Sequence, residues 1–343
     1  MGPSNDASLA PQLSATTPGG AETHSHSTPT AGPTATAGRT FLHDAGRSNP
    51  AWQSIIWIGM LHVGALAAPW FFSWQGLVAC LVLHWMTGGL GVCLGYHRYL
   101  THAGFKTYKP VRFLLGLFGG LSGEGSAIEW VATHRKHHAH SDQHGDPHSP
   151  HDGGLWSHIT WILWDHPAAT IHQHESHWAP DLVRDPMMVF LRRTFLLWHF
   201  ALAAVLAGVG YWMGGSYMAT SMVVWGMFVR LCFVLHATWF VNSASHMWGY
   251  RNYETTDDSR NNWWVALITY GEGWHNNHHA YPRMAVHGHR WWEVDVTYMT
   301  IRLMRMMGLA WDVVDYKRAA DKPASAGSHG KKRRGKRAQV ARV

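Results

Sequence analysis

Charge is scarce in this chain of 343 residues, at 14% Asp, Glu, Lys and Arg, against about 25% in ordinary soluble domains. So little charge cannot cover the surface of a water-soluble protein of this length, and something else must hide much of the chain. The positive excess sits at one end. Lys331, Lys332, Arg333, Arg334, Lys336, Arg337 and Arg342 are seven cations with no acid among them, and they account for the whole formal charge of +7. The pI of 9.4 therefore describes a tail and gives no support to a nucleic-acid-binding body. Cysteine is nearly missing as well. Cys80, Cys93 and Cys232 lie in apolar stretches without CxxC spacing, which excludes a disulfide scaffold and a thiolate metal site. No Gly-rich dinucleotide fingerprint and no HPGG haem motif occurs, so any electrons the protein uses come from a separate donor. What is abundant is histidine, at 28 residues.

From Ser48 to His97 there is no Asp, Glu, Lys or Arg. That run is more than twice the roughly 20 residues needed to cross a bilayer once. It predicts two spans, at 54–72 and 76–96, joined by a short turn after Pro69. A second uncharged run, Thr194 to Val229, continues past Arg230 to Tyr250, and Gly214-Gly215-Ser216 divides it into spans at 194–213 and 217–241. The expected fold is thus an all-α integral membrane protein with four transmembrane helices. Between the second and third spans lie Arg98, Lys106, Lys109, Arg112, Arg135, Lys136, Arg184, Arg192 and Arg193, whereas the two short turns carry no basic residue. The positive-inside rule then puts both termini and the central loop in the cytoplasm. Arg230 is expensive at mid-bilayer and is expected near the boundary, on a fourth helix that projects into the cytosol. Residues 1–48, rich in Ala, Thr, Pro, Gly and Ser, read as a disordered tail with neither the basic nor the apolar region of a signal peptide. Residues 317–343 read as a basic disordered tail able to touch anionic lipid. The folded domain is expected at 49–316.

Position sorts the histidines. His62, His84, His199 and His236 lie inside spans and read as packed or hydrogen-bonded structural residues. His97 and His102 stand in HRYLTH, where the second span ends; His134, His137 and His138 form HRKHH; His275, His278 and His279 form HNNHH after the fourth span. All would face the same side of the membrane. Helical residues advance about 100° each, so i, i+3 and i+4 share a stripe, and His134 with His138, or His275 with His279, can chelate one ion. Two ions are the natural outcome. His97 and His102 are about 140° out of phase on an ideal α-helix, so they need a helix end or an approach from opposite sides. Neutral imidazole suits iron, copper, nickel and zinc alike, but this many clustered histidines exceed one tetrahedral zinc site. The carboxylate-rich Glu-x-x-His pattern of soluble di-iron bundles does not occur at these boxes.

These motifs carry a resemblance. GYHRYLTH, EWVATHRKHHAHSDQHGDPHSP, GGLWSHITW, TWFVNSASH and DDSRNNWWVALITYGEGWHNNHHAYP, in this order from about Trp52 to Asp312, resemble the membrane-bound acyl desaturases of the stearoyl-CoA and bacterial delta-9 type. The resemblance implies a cytosolic helical cap holding two iron ions, ferrous at rest. It adds His246 of NSASH as a ninth ligand and Asn242 as a ligand through water. One iron would take His97, His102, His134, His138 and His278, the other His137, His246, His275 and His279. The implied reaction places a cis double bond between carbons 9 and 10 of a saturated acyl chain, with O2 and two electrons from a ferredoxin or cytochrome b5. The chain would enter a bent tunnel beneath the metals, and the motifs suggest a bacterial inner membrane. A methylene C–H has no acidic proton, so acid–base chemistry cannot begin the reaction and metal redox chemistry must.

Trp130, Trp239, Trp263 and Trp264 are candidate tunnel walls, although Trp263 and Trp264 serve equally well as interfacial anchors. Arg192 and Arg193 match family residues that touch the substrate's head group, with positive-inside anchoring as the alternative. Ala132 and Thr133 stand where the animal enzymes carry an Arg-Asp pair against coenzyme A, which leaves both acyl-CoA and acyl-lipid substrates open. Asp142, Asp146, Glu272 and Glu129 are candidates to orient ligand imidazoles, each with a solvated loop position as its alternative. His140, His144, His148, His151, His172, His174 and His177 are not expected to be ligands. Two other functions fit the composition: a hydroxylase, in which the same centre returns oxygen to the carbon, and a non-enzymatic histidine-rich metal-binding membrane protein.

Overall fold

The computed structural model describes residues 49–164 and 168–315. The two tails expected from the sequence lie outside the described residues. The described residues form helices with one two-stranded antiparallel ribbon, in which Lys106 pairs with Trp311 and Thr107 with Ala310. Helix α1 is Trp52–Ala65, shorter than the 54–72 the hydropathy suggests. Pro69 lacks an N–H and disfavours helix at the residue before it, and the last turns tighten to Ala67 N to Gly64 O and Ala68 N to Ala65 O. Helix α2, Trp74–His84, starts on Ser73, whose Oγ accepts from Gly76 N at 2.9 Å. It continues as a π-helix over Trp85–Thr101, so that one helical stretch of 28 residues runs from Trp74 to Thr101.

Helix α3, Lys109–Gly120, lies across that stretch. A Cβ on Gly91 would come within 2.4 Å of the Phe118 and Gly119 backbone, so only glycine permits the approach. Helix α4, Ala127–His140, opens with a capping box made by Ser126 and Glu129, and α5 and α6 are Ala168–Trp178 and Pro186–Arg193. Helix α7, Phe195–Val223, is interrupted at Gly214 and at Gly215, where φ is +69°. The two halves fold back on each other: Gly210 abuts Ala219 and Gly226 abuts Leu206. After a π segment at Val224–Val229 come α8, Arg230–Asn242, and α9, Ala244–Met247. Helices α10 (Trp263–Ile268), α11 (His275–Ala280) and α12 (Val296–Met306) complete the chain.

Two helical stretches, Trp74–Thr101 and Phe195–Met247, are long and apolar enough to cross a membrane. Around them Ile56, Met60, Val78, Leu81, Leu197, Phe200 and Trp212 all face outward, an apolar belt far larger than soluble monomers expose. Arg230 is fully buried and faces inward, donating to the carbonyl of Leu121 at the C-terminal end of α3 and to that of Gly226. A cation there complements the helix dipole. Among the span histidines, His84 meets the Tyr270 hydroxyl, His199 bonds the Phe195 carbonyl, and His62 bonds His236, which in turn bonds His158.

Candidate metal centre

Four separate stretches of chain deliver nine imidazoles to one place. His97, His102, His134, His138 and His278 form one group, and His137, His246, His275 and His279 a second. Within each group one nitrogen per ring lies within 4.8 Å of all the others. The HRKHH triplet splits as its spacing suggests, with the i and i+4 members in one group and the i+3 member in the other. HNNHH splits the same way in reverse, and the groups adjoin, the His138 and His279 rings being 4.6 Å apart. His97 and His102 meet by a route that α periodicity does not offer. The π winding closes His102 N onto His97 O, five residues back, at 3.2 Å, which brings the two rings to 4.9 Å.

The nitrogens suit a cation better than one another. His97, His278, His138 and His134 form a file of Nε2 atoms with successive separations of 3.0, 2.9 and 3.0 Å. An imidazole nitrogen either carries a proton or offers a lone pair, so the two middle atoms cannot each serve both neighbours, and at most two of these three contacts can be hydrogen bonds. His102, His137 and His279 each bury an Nε2 with no hydrogen-bond partner. Burial, with the charges of neighbouring imidazoles, holds His102, His134, His138, His275 and His278 well below the usual histidine range, so their lone pairs are available. Clusters of this composition can hold a metal ion.

Carboxylates fix the rings from behind. Asp142 Oδ2 is 2.7 Å from His246 Nδ1, Asp146 Oδ1 is 3.0 Å from His137 Nδ1, and Glu272 Oε2 is 2.6 Å from His97 Nδ1. All three acids are buried, contrary to the solvated alternative. Each holds the proton on Nδ1 and turns a bare Nε2 inward. Burial alone would raise Glu272, but Arg98, His287 and His97 outweigh it and hold the carboxyl well below its usual range. Burial likewise opposes ionisation of Asp146, and His137 reverses the balance. Glu129 does none of this; it caps α4. Two residues that sequence reasoning missed belong here. Asp257 holds His279 Nδ1 at 2.8 Å. His287, fully buried, sits 3.0 Å from Glu272 with its ring 4.5 Å from that of His278. Only the position of Asp257 inside the quoted DDSRNN motif hinted at it. His148 packs on His137, ring to ring at 4.4 Å.

A cavity of about 990 Å³ reaches this centre at His134. Trp130, Thr133, Trp239 and Asn242 line it, as do Arg192 and exposed Arg193. Trp263 and Trp264 are not among its lining residues: Trp263 faces outward and Trp264 packs on Phe240. The indole of Trp130 stacks on His134, with ring centroids 4.8 Å apart, and donates to Glu124 at 2.8 Å, while Thr238 donates to the other Glu124 oxygen at 2.6 Å. Glu124 thereby ties two lining residues from different helices, Trp130 of α4 and Thr238 of α8. Burial pushes it up to about 7 against those two hydrogen bonds.

Two adjoining histidine clusters able to hold metal, one of them opening on a cavity, in a helical chain with an outward apolar belt, define a class of membrane-associated metal-binding proteins, and comparison with known proteins gives the family. The family model described as fatty acid desaturase matches residues 68–295. The chain is 43% identical over 280 residues to the sn-2 palmitoyl-lipid 9-desaturase of a Nostoc species, covering 81% of this chain and 93% of that protein. It is 46% identical over 264 residues to the sn-1 stearoyl-lipid 9-desaturase of Anabaena variabilis, covering 76% and 93%. An acyl-CoA 5-desaturase of Anemone leveillei is 42% identical over 259 residues, covering 76% and 78%. The chain belongs to the fatty acid desaturase family and is a fatty acyl desaturase, an oxidoreductase.

Proposed function

We propose that this enzyme places a cis double bond at carbon 9 of a saturated acyl chain carried on a membrane glycerolipid, with two iron ions, O2 and electrons from a separate ferredoxin or cytochrome b5. The observation that carries the reading is the junction of the two histidine groups with the acyl-sized cavity at His134. The iron pair, when bound, supplies the redox chemistry toward O2 that an unactivated C–H bond requires. His97, His102, His134, His138 and His278 hold one ion; His137, His246, His275 and His279 hold the other, with Asn242 contributing through water. The acids behind the rings keep the ligands aligned. Trp130 and Trp239 wall the chain, and depth in the cavity selects the carbon.

The lipid carrier is favoured by the cavity's rim. Ile56 and Met60 of α1 and Leu196 and Leu197 at the start of α7 line it, and all four also face outward on the apolar belt. A chain can therefore slide in sideways from the leaflet. Arg192 is engaged by Glu175 at 2.7 Å, which leaves exposed Arg193 the better placed of the two to meet a polar head. Ala132 is fully buried and offers nothing to coenzyme A. The four-span topology, with α1 and the two halves of the α7–α8 hairpin joining α2 and both tails in the cytoplasm, belongs to the same proposal, as does a folded domain at 49–316.

The test is expression in a desaturase-deficient host, with double-bond positions mapped separately in the acyl-CoA and glycerolipid pools. New carbon-9 alkenes arising first in glycerolipids support the reading. Alkenes arising first in acyl-CoA overturn the carrier, and hydroxylated chains without alkenes overturn the reaction. His138→Ala should abolish product and lower iron content together.

A further inference from the structure

Helix α12 has two apolar faces, and only one of them is used inside the protein. Ile301 and Met304 pack with Leu94 of the Trp74–Thr101 helix, Phe105 and Leu115. On the other side Val296, Met299, Leu303 and Met306 recur at i, i+3, i+7 and i+10, exposed by 37, 55, 51 and 78%. This outward stripe extends to Met307, Trp311 and Tyr108, the last two in ring contact at 4.7 Å, and to Leu114 of α3. Both helices thus flank the same end of a membrane-crossing helix and turn apolar side chains away from it.

We propose that α12, with the adjoining face of α3, lies in the interface of the cytoplasmic leaflet and contacts anionic phospholipid. Three observations select that occupant. The stripe stands beside a span, because the inner face of the same helix packs on Leu94 of the Trp74–Thr101 stretch. Arg302 and Lys109 stand on these helices with no carboxylate partner among the described residues, which complements a negative leaflet. The chain that follows at residue 316 supplies Lys and Arg, with no run of apolar residues to fill the stripe and with charge that Arg302 and Arg305 repel. The contact also bears on the metal centre. Asp295 caps α12 by accepting from Tyr298 N, and its other oxygen is 2.8 Å from Arg98, which pairs with Glu272 behind His97. The seat of α12 on the bilayer is therefore one ion-pair chain away from a ligand histidine.

The inference rests on the membrane topology proposed above and not on the reaction. The full-length protein is reconstituted in nanodiscs of phosphatidylcholine with or without phosphatidylglycerol, bearing a nitroxide at Leu303→Cys or, separately, at Met306→Cys. The unsubstituted chain is run in parallel to record any labelling of Cys80, Cys93 and Cys232. Collisions with O2 should exceed those with a water-soluble nickel chelate several-fold at both sites. Phosphatidylglycerol should deepen the labels, and Arg302→Gln should remove that deepening. Nickel-chelate access at the level of a water-exposed site overturns the proposal, as does dipolar broadening between labels of two copies, which would make the stripe a protein interface. Met306 lies at the helix end, so its label reads the contact even where Leu303→Cys disturbs packing. Neither measurement involves turnover, so a failure here leaves the desaturase reading standing, and an inactive enzyme with lipid-facing labels leaves this one standing.

Discussion

Asp257 and Asp258 are neighbours with opposite employment. The first is nearly buried against His279; the second is half exposed and pairs with exposed His151. Replacing Asp257 by Asn keeps the shape but removes the charge that holds His279 in its Nδ1–H form, and such changes typically lower metal affinity about 10–100-fold. Asp258→Asn should leave affinity unchanged. Iron retention against a graded chelator checks both. The same buried rings set a pH dependence for the metal-free protein. His279 is pushed down to about 4 by burial, from an unfolded value of about 6.5. Between those values the unfolded chain binds more protons than the folded one, so stability is full above about pH 6.5 and falls as the pH drops toward about 4. Melting of metal-stripped protein across that range should show the loss; metal-loaded protein should melt higher throughout but lose at least as much as the pH falls, because its unfolded chain takes up the same protons while its metal-bound rings take up none. At this scale the sequence was legible where histidines that gather sit i, i+4 within a box. Asp257 and His287 were not, since each meets its partner only through tertiary folding and neither stands at a helical spacing from it.

Between residue and fold, helix winding decided what could be read. Spacing arguments assume about 100° per residue, and under that assumption His97 and His102 point apart. The π winding of Trp85–Thr101 overturns it, and nothing in the local sequence announces a π-helix of that length. The ends of α1 and the break in α7 were legible in kind, through Pro69 and Gly214-Gly215. Tightening before Pro69 nevertheless ended α1 earlier than hydropathy alone implies. Gly91 is the position where the π stretch and α3 press backbone to backbone. Gly91→Ala cannot be relieved by a rotamer change, because the atoms it meets are main chain. It should cost about 1–3 kcal/mol, seen as a lower melting temperature in detergent. Gly59→Ala, with nothing near the added methyl, should not lower it.

For the molecule as a whole, the proposed metal pair would act as a staple. The nine rings come from the end of the Trp74–Thr101 helix, from α4, from α9 and from α11, four segments far apart in sequence that the cluster brings to one place. Without a cation, at least one of the three contacts in the Nε2 file has no hydrogen bond, and two buried polar nitrogens then sit about 3 Å apart unsatisfied by each other. The metal-free cap should accordingly loosen while the spans, held by their own apolar packing, stay helical. A ligand present at about 1,000 times its dissociation constant adds about 4 kcal/mol to the state it binds, so chelation should lower the cap's unfolding temperature markedly. The expected signature is a near-unchanged far-ultraviolet circular dichroism spectrum beside faster proteolysis in the 249–262 segment between α9 and α10, which carries Asp257. Restoring iron should reverse both. A chelated protein that resists protease as well as the loaded one would show that the histidine cluster is seated by the polypeptide alone, and the stapling role would then be withdrawn.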